Sequence, residues 1–190
     1  VFIYIKNMVV LSSSEFESHE EKRSVQGLNQ ITDQMNRISS SSFGHTSVSP
    51  TVETALQNDE FIGYLEMDGQ VVASGFAKDD TYNTEYKCRT ILLHTFSTHE
   101  DYRGRGLCKK IVGEFIKKFG KNCILYLTVR TEIDNVNESA IKCYEKNGFI
   151  MLPSVYRDHY DGKNSAMVRM PVLNKSRKTS KKSKKRMKRE

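Results

Sequence analysis

Residues 91–108, ILLHTFSTHEDYRGRGLC, carry the strongest structural signal in the chain. Their apolar start, residues 91–96, predicts a strand, and the polar residues 97–105 predict a turn. The next segment, Leu107–Phe119, predicts a helix because its apolar residues recur at spacings of three and four. These apolar residues are Leu107, Ile111, Val112, Phe115, Ile116 and Phe119. The Gly-Arg-Gly triplet at residues 104–106 therefore lies where a strand becomes a helix.

A helix start next to glycines can bind an anion. The first N–H groups of a helix have no partner inside the helix, and they carry the positive end of its dipole. Glycines beside them let a phosphate or pyrophosphate approach the backbone closely. The P-loop pattern is absent because no Gly-Lys-Ser/Thr ends the turn, and the dinucleotide pattern G-x-G-x-x-G fails at Lys109. A glycine turn leading into an ordinary helix is the alternative interpretation of this segment.

Two motifs in sequence order point to one family. The residues Arg103-x-x-Gly106-x-Cys108 resemble the pyrophosphate signature R/Q-x-x-G-x-G/A of the GNAT acetyltransferase superfamily. Residues 137–149, NESAIKCYEKNGF, resemble the second family motif, N-x-x-A/S-x-x-x-Y-x-x-x-G-F. The matching positions are Asn137, Ala140, Tyr144, Gly148 and Phe149. An amphipathic helix with a glycine C-cap also explains the second segment, but it does not explain both motifs in this order.

The resemblance implies an α/β (α+β) fold with a single GNAT-type domain over residues 1–173. Its central sheet would be mixed, mostly antiparallel and twisted, with a splayed parallel strand pair and flanking helices. The pattern of the chain predicts the order β-α-α-β-β-β-α-β-α-β-β, which is the order of that fold. We predict strands at 1–11, 61–67, 70–77, 86–96, 123–130, 149–155 and 166–172, and helices at 17–39, 51–58, 107–119 and 137–147. Asp68-Gly69 predicts a type I′ hairpin turn.

The same resemblance implies an acetyl-CoA-dependent N-acetyltransferase, in which a primary amine attacks the thioester directly. Acetyl-CoA would be the cosubstrate, and the acceptor would be a small amine or a protein amine. By motif position, the cosubstrate-binding residues would be Phe96, Ser97, Thr98, Arg103, Gly104, Arg105, Gly106, Leu107, Cys108, Asn137, Ala140 and Tyr144. Acceptor choice would depend on the loops at 39–49, 131–136 and 156–165. A catalytically inactive CoA-binding GNAT-like module is an alternative.

Two residues are candidates for proton transfer. Tyr144 occupies the family position of the acid that protonates the leaving thiolate, although a tyrosine half buried in the core is the alternative interpretation. Alternation along the strand predicts one common face for Thr90, Leu92, His94 and Phe96. His94 matches a histidine of the arylalkylamine-acetylating branch, and an imidazole can accept a proton near neutral pH. A structural histidine and a chain of waters in place of a base both remain open.

Basic charge is concentrated in residues 174–190, NKSRKTSKKSKKRMKRE. This segment contains ten of the thirty Lys and Arg residues and one of the twenty-three Asp and Glu residues, so the remainder of the chain is slightly acidic. We expect the tail to be disordered because it has almost no apolar surface to bury. It could bind nucleic acid, act as a nuclear address, or serve only as a solubilising end. A nucleic-acid-associated protein acting through this tail is therefore a further alternative.

The remaining composition restricts the class of protein. No run of about 18 apolar residues is present, so we predict no membrane span and no membrane partner. The cysteines are Cys88, Cys108, Cys123 and Cys143. They form no C-x-x-C pair, and therefore we predict no metal site. We expect them to be small, free, buried thiols in a reducing compartment. These features predict an intracellular protein, cytoplasmic or nuclear.

Overall fold

A computed structural model gives the fold and describes residues 7–21, 25–43, 51–83, 88–131, 136–153 and 164–171. In chain order, the elements are β1 Asn7–Leu11, α1 Ser13–Glu21, α2 Val25–Phe43, α3 Val52–Gln57, β2 Phe61–Met67, β3 Gln70–Asn83, β4 Cys88–Thr98, α4 Leu107–Phe119, β5 Cys123–Arg130, α5 Glu138–Glu145, β6 Ile150–Met151 and β7 Asn164–Arg169. A short 3₁₀ turn, Glu100–Tyr102, lies between β4 and α4.

The described strands form one seven-stranded sheet in the order β1-β2-β3-β4-β5-β7-β6. Only β4 and β5 run parallel, and every other neighbouring pair is antiparallel. The parallel pair is joined through α4, as a crossover connection requires. The predicted mixed, mostly antiparallel sheet flanked by helices is therefore confirmed.

Helices cover both faces of the sheet and bury a separate apolar cluster on each. On one face, α4 and α5 pack over residues such as Leu65, Ile91 and Leu125, all fully buried. On the other face, α1, α2 and α3 pack over Ile62, Tyr64 and their neighbours. The helices α2, α4 and α5 each contribute an apolar stripe, whereas α1 contributes the single side chain of Phe16. The sheet thus has two covered faces, and the parallel strand pair lies near its centre.

The N-terminal helices differ from the prediction. The predicted helix at 17–39 is two helices, α1 and α2, and α2 continues to Phe43. The predicted apolar face of the second helix is confirmed for Ile31, Met35 and Ile38, which are all buried. The first serines of the predicted loop at 39–49 are therefore helical. The rest of that loop lies outside the described residues.

Local turn chemistry agrees with the sequence. Asp68 and Gly69 both have positive φ, 52° and 78°, as a type I′ hairpin turn between β2 and β3 requires. Thr51 caps α3, because its side chain accepts a hydrogen bond from the Thr54 N–H at 3.2 Å. These contacts fix the elements that lead into β2 and β3.

Several predicted features lie outside the described residues. These are residues 1–6, most of the loops at 131–136 and 156–165, and the whole basic tail. Of the strand predicted at 149–155, residues 149–153 are described, and only Ile150–Met151 form a strand. Within the described ranges, none of the helices combines the length and the apolar character needed to cross a membrane.

Candidate active site

The parallel strands β4 and β5 are paired over only part of their length. Their register ends at the pair Leu92–Tyr126, although β4 continues to Thr98 and β5 to Arg130. The outer edges of both strands remain paired, β4 with β3 and β5 with β7. Within the described ranges, the facing edges beyond Leu92 have no partner strand, so their backbone N–H and C=O groups remain available. The predicted splayed pair is present, and its gap suits a ligand with amide groups of its own.

A bulge in β4 lies beside this gap. On β3, the single residue Gly75 lies opposite two residues of β4, Thr95 and Phe96. Thr95 takes up the extra residue with a φ of 52°, which is uncommon for a β-branched side chain. A bulge of this kind breaks the alternation of side chains along a strand. The alternation of side chains between the two faces of the sheet is therefore not continuous across Thr95.

The predicted common face for the alternating residues between 90 and 96 is wrong for Phe96. Phe96 packs edge-to-face on Phe115 of α4, with ring centroids 5.5 Å apart. His94 instead stacks on Phe76, on the face covered by α1–α3, at 5.8 Å. The bulge thus assigns the two candidate residues to opposite sides of the sheet.

The start of α4 is an open helix N-terminus. Gly104 and Gly106 both have a φ of 75°, in the left-handed region that glycine adopts without strain. Gly106 is the N-cap of α4 and provides no capping side chain. The first N–H groups of the helix are therefore free of a side-chain cap, as the anion-site prediction requires.

Two arginines hold the turn that leads into α4. The Arg103 Nε donates to the backbone oxygen of Thr98 at 3.3 Å. The Arg105 Nη2 donates to the backbone oxygen of Asp101 at 2.9 Å, and its guanidinium lies 4.8 Å from the Tyr102 ring centroid. Both arginines are exposed, so they add positive charge around the helix N-terminus.

Tyr144 of α5 lies against the side of the gap that Phe96 occupies. Its ring centroid is 6.2 Å from that of Phe96 and 6.2 Å from that of Phe149. The residue is only 8% exposed. Burial in these apolar surroundings raises the pKa of its hydroxyl to about 12. The phenol therefore keeps its proton at neutral pH and can act as a proton donor.

Four further residues that the motifs predict to bind the cosubstrate are described by their burial and contacts. Ser97 is buried, and its hydroxyl has no hydrogen-bond partner among the described residues. Leu107 is fully buried under the start of α4, and Ala140 packs against the same core. Asn137 caps α5, because its Oδ1 accepts from the Ala140 N–H at 3.1 Å. The structure therefore brings the two motifs together, with Asn137 in a local helix-capping role.

A disulfide joins the helices that carry the two motifs. Cys108, in the first turn of α4, is bonded to Cys143 of α5, and their Cα atoms are 6.3 Å apart. Cys88 and Cys123 are free and buried. The expectation of four free thiols is therefore wrong for Cys108 and Cys143. Their separation of 35 residues gave no sequence signal, because they meet only when the two helices pack.

His94 has an acidic neighbour that the sequence did not indicate. The Oε2 atom of Glu60, the residue before β2, lies 3.0 Å from His94 Nε2. On the other side of the ring, Nδ1 lies 3.1 Å from the Thr95 hydroxyl. Sequence alone does not reveal this contact, since burial cannot be read from one acidic residue before an apolar strand. Among the described residues, no cluster of His, Cys, Asp and Glu side chains suits a metal ion.

Comparisons with known proteins agree with this geometry. The sequence profile of the Acetyltransferase (GNAT) family matches residues 27–149. No curated protein sequence matches the chain significantly. Many solved structures share the fold. The GNAT-family acetyltransferase of Streptococcus pneumoniae is 17% identical with a TM-score of 0.57, and the match covers 87% of this chain and 99% of that chain.

Two further structures share the fold at low sequence identity. Arabidopsis thaliana Naa50, in complex with the bisubstrate analogue CoA-Ac-MVNAL, is 19% identical with a TM-score of 0.52, over 76% of this chain and 92% of that chain. Ard1 from Thermoplasma volcanium is 23% identical with a TM-score of 0.52, over 87% and 97%. At these identities the structures show only a shared fold. The family profile matches residues 27–149, which is most of the chain, and this match shows the family. With the splayed strands and both motifs in place, the chain belongs to the GNAT acetyltransferase family.

Proposed function

We propose that the protein is an N-acetyltransferase that moves the acetyl group of acetyl-CoA to a primary amine by direct attack. The observation that carries this proposal is the gap between β4 and β5. The gap runs toward the uncapped N-terminus of α4, and a buried, protonated Tyr144 lies beside it. This arrangement provides a slot for an extended amide-containing arm, a site for a pyrophosphate and a proton donor.

The cosubstrate site is proposed residue by residue. Residues 96–98 would lie along the pantetheine arm, at the edge of the gap. The backbone of residues 103–108 would hold the pyrophosphate, where both glycines have the required left-handed conformation. Cys108 stands where the family motif has Gly or Ala, and its sulfur turns toward α5 in the disulfide. Asn137 and Ala140 would lie beside the same arm at the start of α5.

Two proton transfers complete the reaction. Tyr144 would protonate the leaving thiolate or donate a hydrogen bond to it, because it presents a neutral hydroxyl in apolar surroundings. An acceptor ammonium must first lose a proton, and His94 is the candidate base. A chain of waters to solvent is the alternative to His94. His94 lies on the face opposite Phe96, so it would act on the acceptor side of the sheet.

The acceptor class is a primary amine. Among the structural relatives, Naa50 is in complex with the bisubstrate analogue CoA-Ac-MVNAL, and the NatC complex is bound to a Gag peptide and CoA. These relatives support a peptide N-terminus as one acceptor beside a lysine side chain and a small amine. The basic tail remains a proposed contact for nucleic acid, carried by its charge alone.

Binding and transfer are tested in one experiment. Purified protein is titrated with acetyl-CoA and with CoA, and then incubated with polyamines, arylalkylamines and peptides bearing free lysines or N-termini. We expect saturable acetyl-CoA binding and a product heavier by the mass of one acetyl group, detected by mass spectrometry. Binding without transfer to any acceptor would favour a CoA-binding module. An absence of acetyl-CoA binding would overturn the proposal.

A further inference from the structure

Glu60 is a carboxylate buried at the point where β2 begins. It is 6% exposed, and its backbone is fixed from two sides. Its N–H donates to the Ala55 carbonyl at 2.9 Å, and its own carbonyl accepts from the Ser13 hydroxyl at 2.8 Å. These contacts tie the residue to α3 and to α1. A buried carboxylate is unfavourable unless it is paired, so its partner matters.

The described partner of this carboxylate is His94. The distance of 3.0 Å between Oε2 and Nε2 is a hydrogen-bond distance. The two groups are not aligned for a hydrogen bond, and neither atom has another hydrogen-bond partner in the described ranges. The two atoms are close enough to pair, and buried polar atoms in proteins are nearly always paired. Turning the two groups toward each other satisfies both atoms at once.

The second ring nitrogen of His94 faces the bulge. A neutral imidazole has one nitrogen that donates and one that accepts. With the proton on Nε2, Nδ1 accepts from the Thr95 hydroxyl, which lies 3.1 Å away. Thr95 belongs to the part of β4 beyond its last pair with β5. The hydroxyl is therefore attached to the strand segment that borders the gap.

We propose that Glu60 is a positioning residue that fixes the proton of His94 on Nε2, so that Nδ1 takes the proton of the acceptor ammonium through the Thr95 hydroxyl. This inference rests on the proposed acetyl transfer and defines the path of its first proton. Thr95 passes its own proton to Nδ1 and receives one from the ammonium. The acceptor becomes a neutral amine, Thr95 ends as it began, and the resulting imidazolium lies beside the Glu60 carboxylate.

The tautomer of His94 tests the proposal without requiring activity. In ¹⁵N-histidine-labelled wild-type protein, the His94 signals are assigned by their loss in His94→Asn. Two-bond ¹⁵N–¹H couplings then report which nitrogen carries the proton in the neutral ring. We expect the Nε2–H form. A neutral ring protonated on Nδ1 would overturn the proposal, since Glu60 would then hold no proton in place.

Kinetics test the consequence for transfer. Glu60→Gln and Thr95→Val are expected to lower kcat about tenfold or more, with the KM for acetyl-CoA changed less than about twofold. Glu60→Asp and Thr95→Ser should recover part of each loss, because they restore the carboxylate and the hydroxyl. Glu53→Gln on α3 is the matched control and should leave kcat unchanged. Circular dichroism checks that each variant is folded.

The outcomes separate this inference from the proposed function. If wild-type protein transfers no acetyl group, the proposed function fails, while the tautomer of His94 still decides the pairing with Glu60. If wild-type protein is active and folded Glu60→Gln keeps its full kcat, the positioning role is wrong and acetyl transfer stands. A higher KM with an unchanged kcat in Glu60→Gln would likewise contradict the positioning role.

Discussion

Burial changes the chemistry of individual side chains in this protein, and the sequence alone does not reveal these changes. Tyr144 is one of nine tyrosines, but it is enclosed by the rings of Phe96 and Phe149. Desolvation disfavours its anionic form, so its hydroxyl holds its proton more tightly than a free phenol does. The second motif made this residue a candidate acid, while the burial that raises its pKa became visible only in the packing.

Replacing Tyr144 by Phe tests its role as the acid. We expect kcat to fall roughly 10²-fold, the lower range of general acid catalysis, with acetyl-CoA affinity changed less than about twofold. Phenylalanine keeps the ring packing and removes only the hydroxyl. Tyr126→Phe is the matched control, because Tyr126 lies on β5 with its hydroxyl donating to Asp80 at 2.7 Å. An unchanged kcat in Tyr144→Phe would remove this residue from the mechanism.

The raised pKa of Tyr144 also predicts a loss of stability at high pH. A group whose pKa is higher in the folded state contributes stability that is complete below its unfolded value of 10 and is lost as pH rises toward about 12. A shift of this size corresponds to roughly 2–3 kcal/mol. We expect the free energy of unfolding of wild type to fall by about this amount relative to that of Tyr144→Phe between pH 9 and pH 12. Denaturant unfolding of both proteins measures this difference. Tyr126, whose pKa is also raised, is present in both proteins and cancels.

At the scale of elements, turns were more predictable than the faces on which strand residues lie. Gly104 and Gly106 mark their own turn, and Asp68-Gly69 marks the hairpin, since each position needs a positive φ. The bulge at Thr95 had no such mark, because the run ILLHTFST contains no glycine or proline. The predicted alternation of side chains between the two faces of the sheet therefore continued across the bulge, where it does not hold. Glu60 was missed for a related reason. Its contacts are with α1, α3 and β4, and the residues next to it in the sequence do not indicate them.

Paired glycine substitutions test the start of α4. Gly106→Ala places a side chain at a φ of 75°, which costs about 1–2 kcal/mol, and should also weaken acetyl-CoA binding. Gly113→Ala is the control within the same helix. Gly113 has no positive φ, and an added Cβ there meets no atom within 4 Å. Alanine at 113 should raise the free energy of unfolding by up to about 1 kcal/mol.

Calorimetric titration with acetyl-CoA and denaturant unfolding measure both effects. A Gly106→Ala protein with wild-type affinity and stability would contradict the proposed geometry of the turn. A similar loss of affinity in Gly113→Ala would show that the effect belongs to the helix in general.

For the whole molecule, order along the chain predicted the architecture well. Two motifs separated by one helix and one strand fixed the centre of the sheet, and short connections left few ways to place its neighbours. Contacts between elements distant in sequence were not predictable. The bond between Cys108 and Cys143 is such a contact, because it depends on how α4 packs on α5.

Reducing this disulfide is expected to destabilise the fold. A cross-link between residues 35 positions apart restricts the unfolded chain by roughly 3–4 kcal/mol. Denaturant unfolding with and without a phosphine reductant measures the loss. The double variant Cys108→Ala, Cys143→Ala is the control and should respond little to the reductant. Equal stability of reduced and oxidised wild type would contradict the prediction.

The bulge at Thr95 has a consequence for how such a protein can change over time. One left-handed residue shifts the alternation of β4, so that His94 meets the face covered by α1–α3 while Phe96 meets the face covered by α4 and α5. Substitutions around His94 and Glu60 can therefore alter one face of the sheet while Phe96 and its neighbours keep their packing on the other. A single strand thus gives selection, or an engineer, two separately adjustable surfaces.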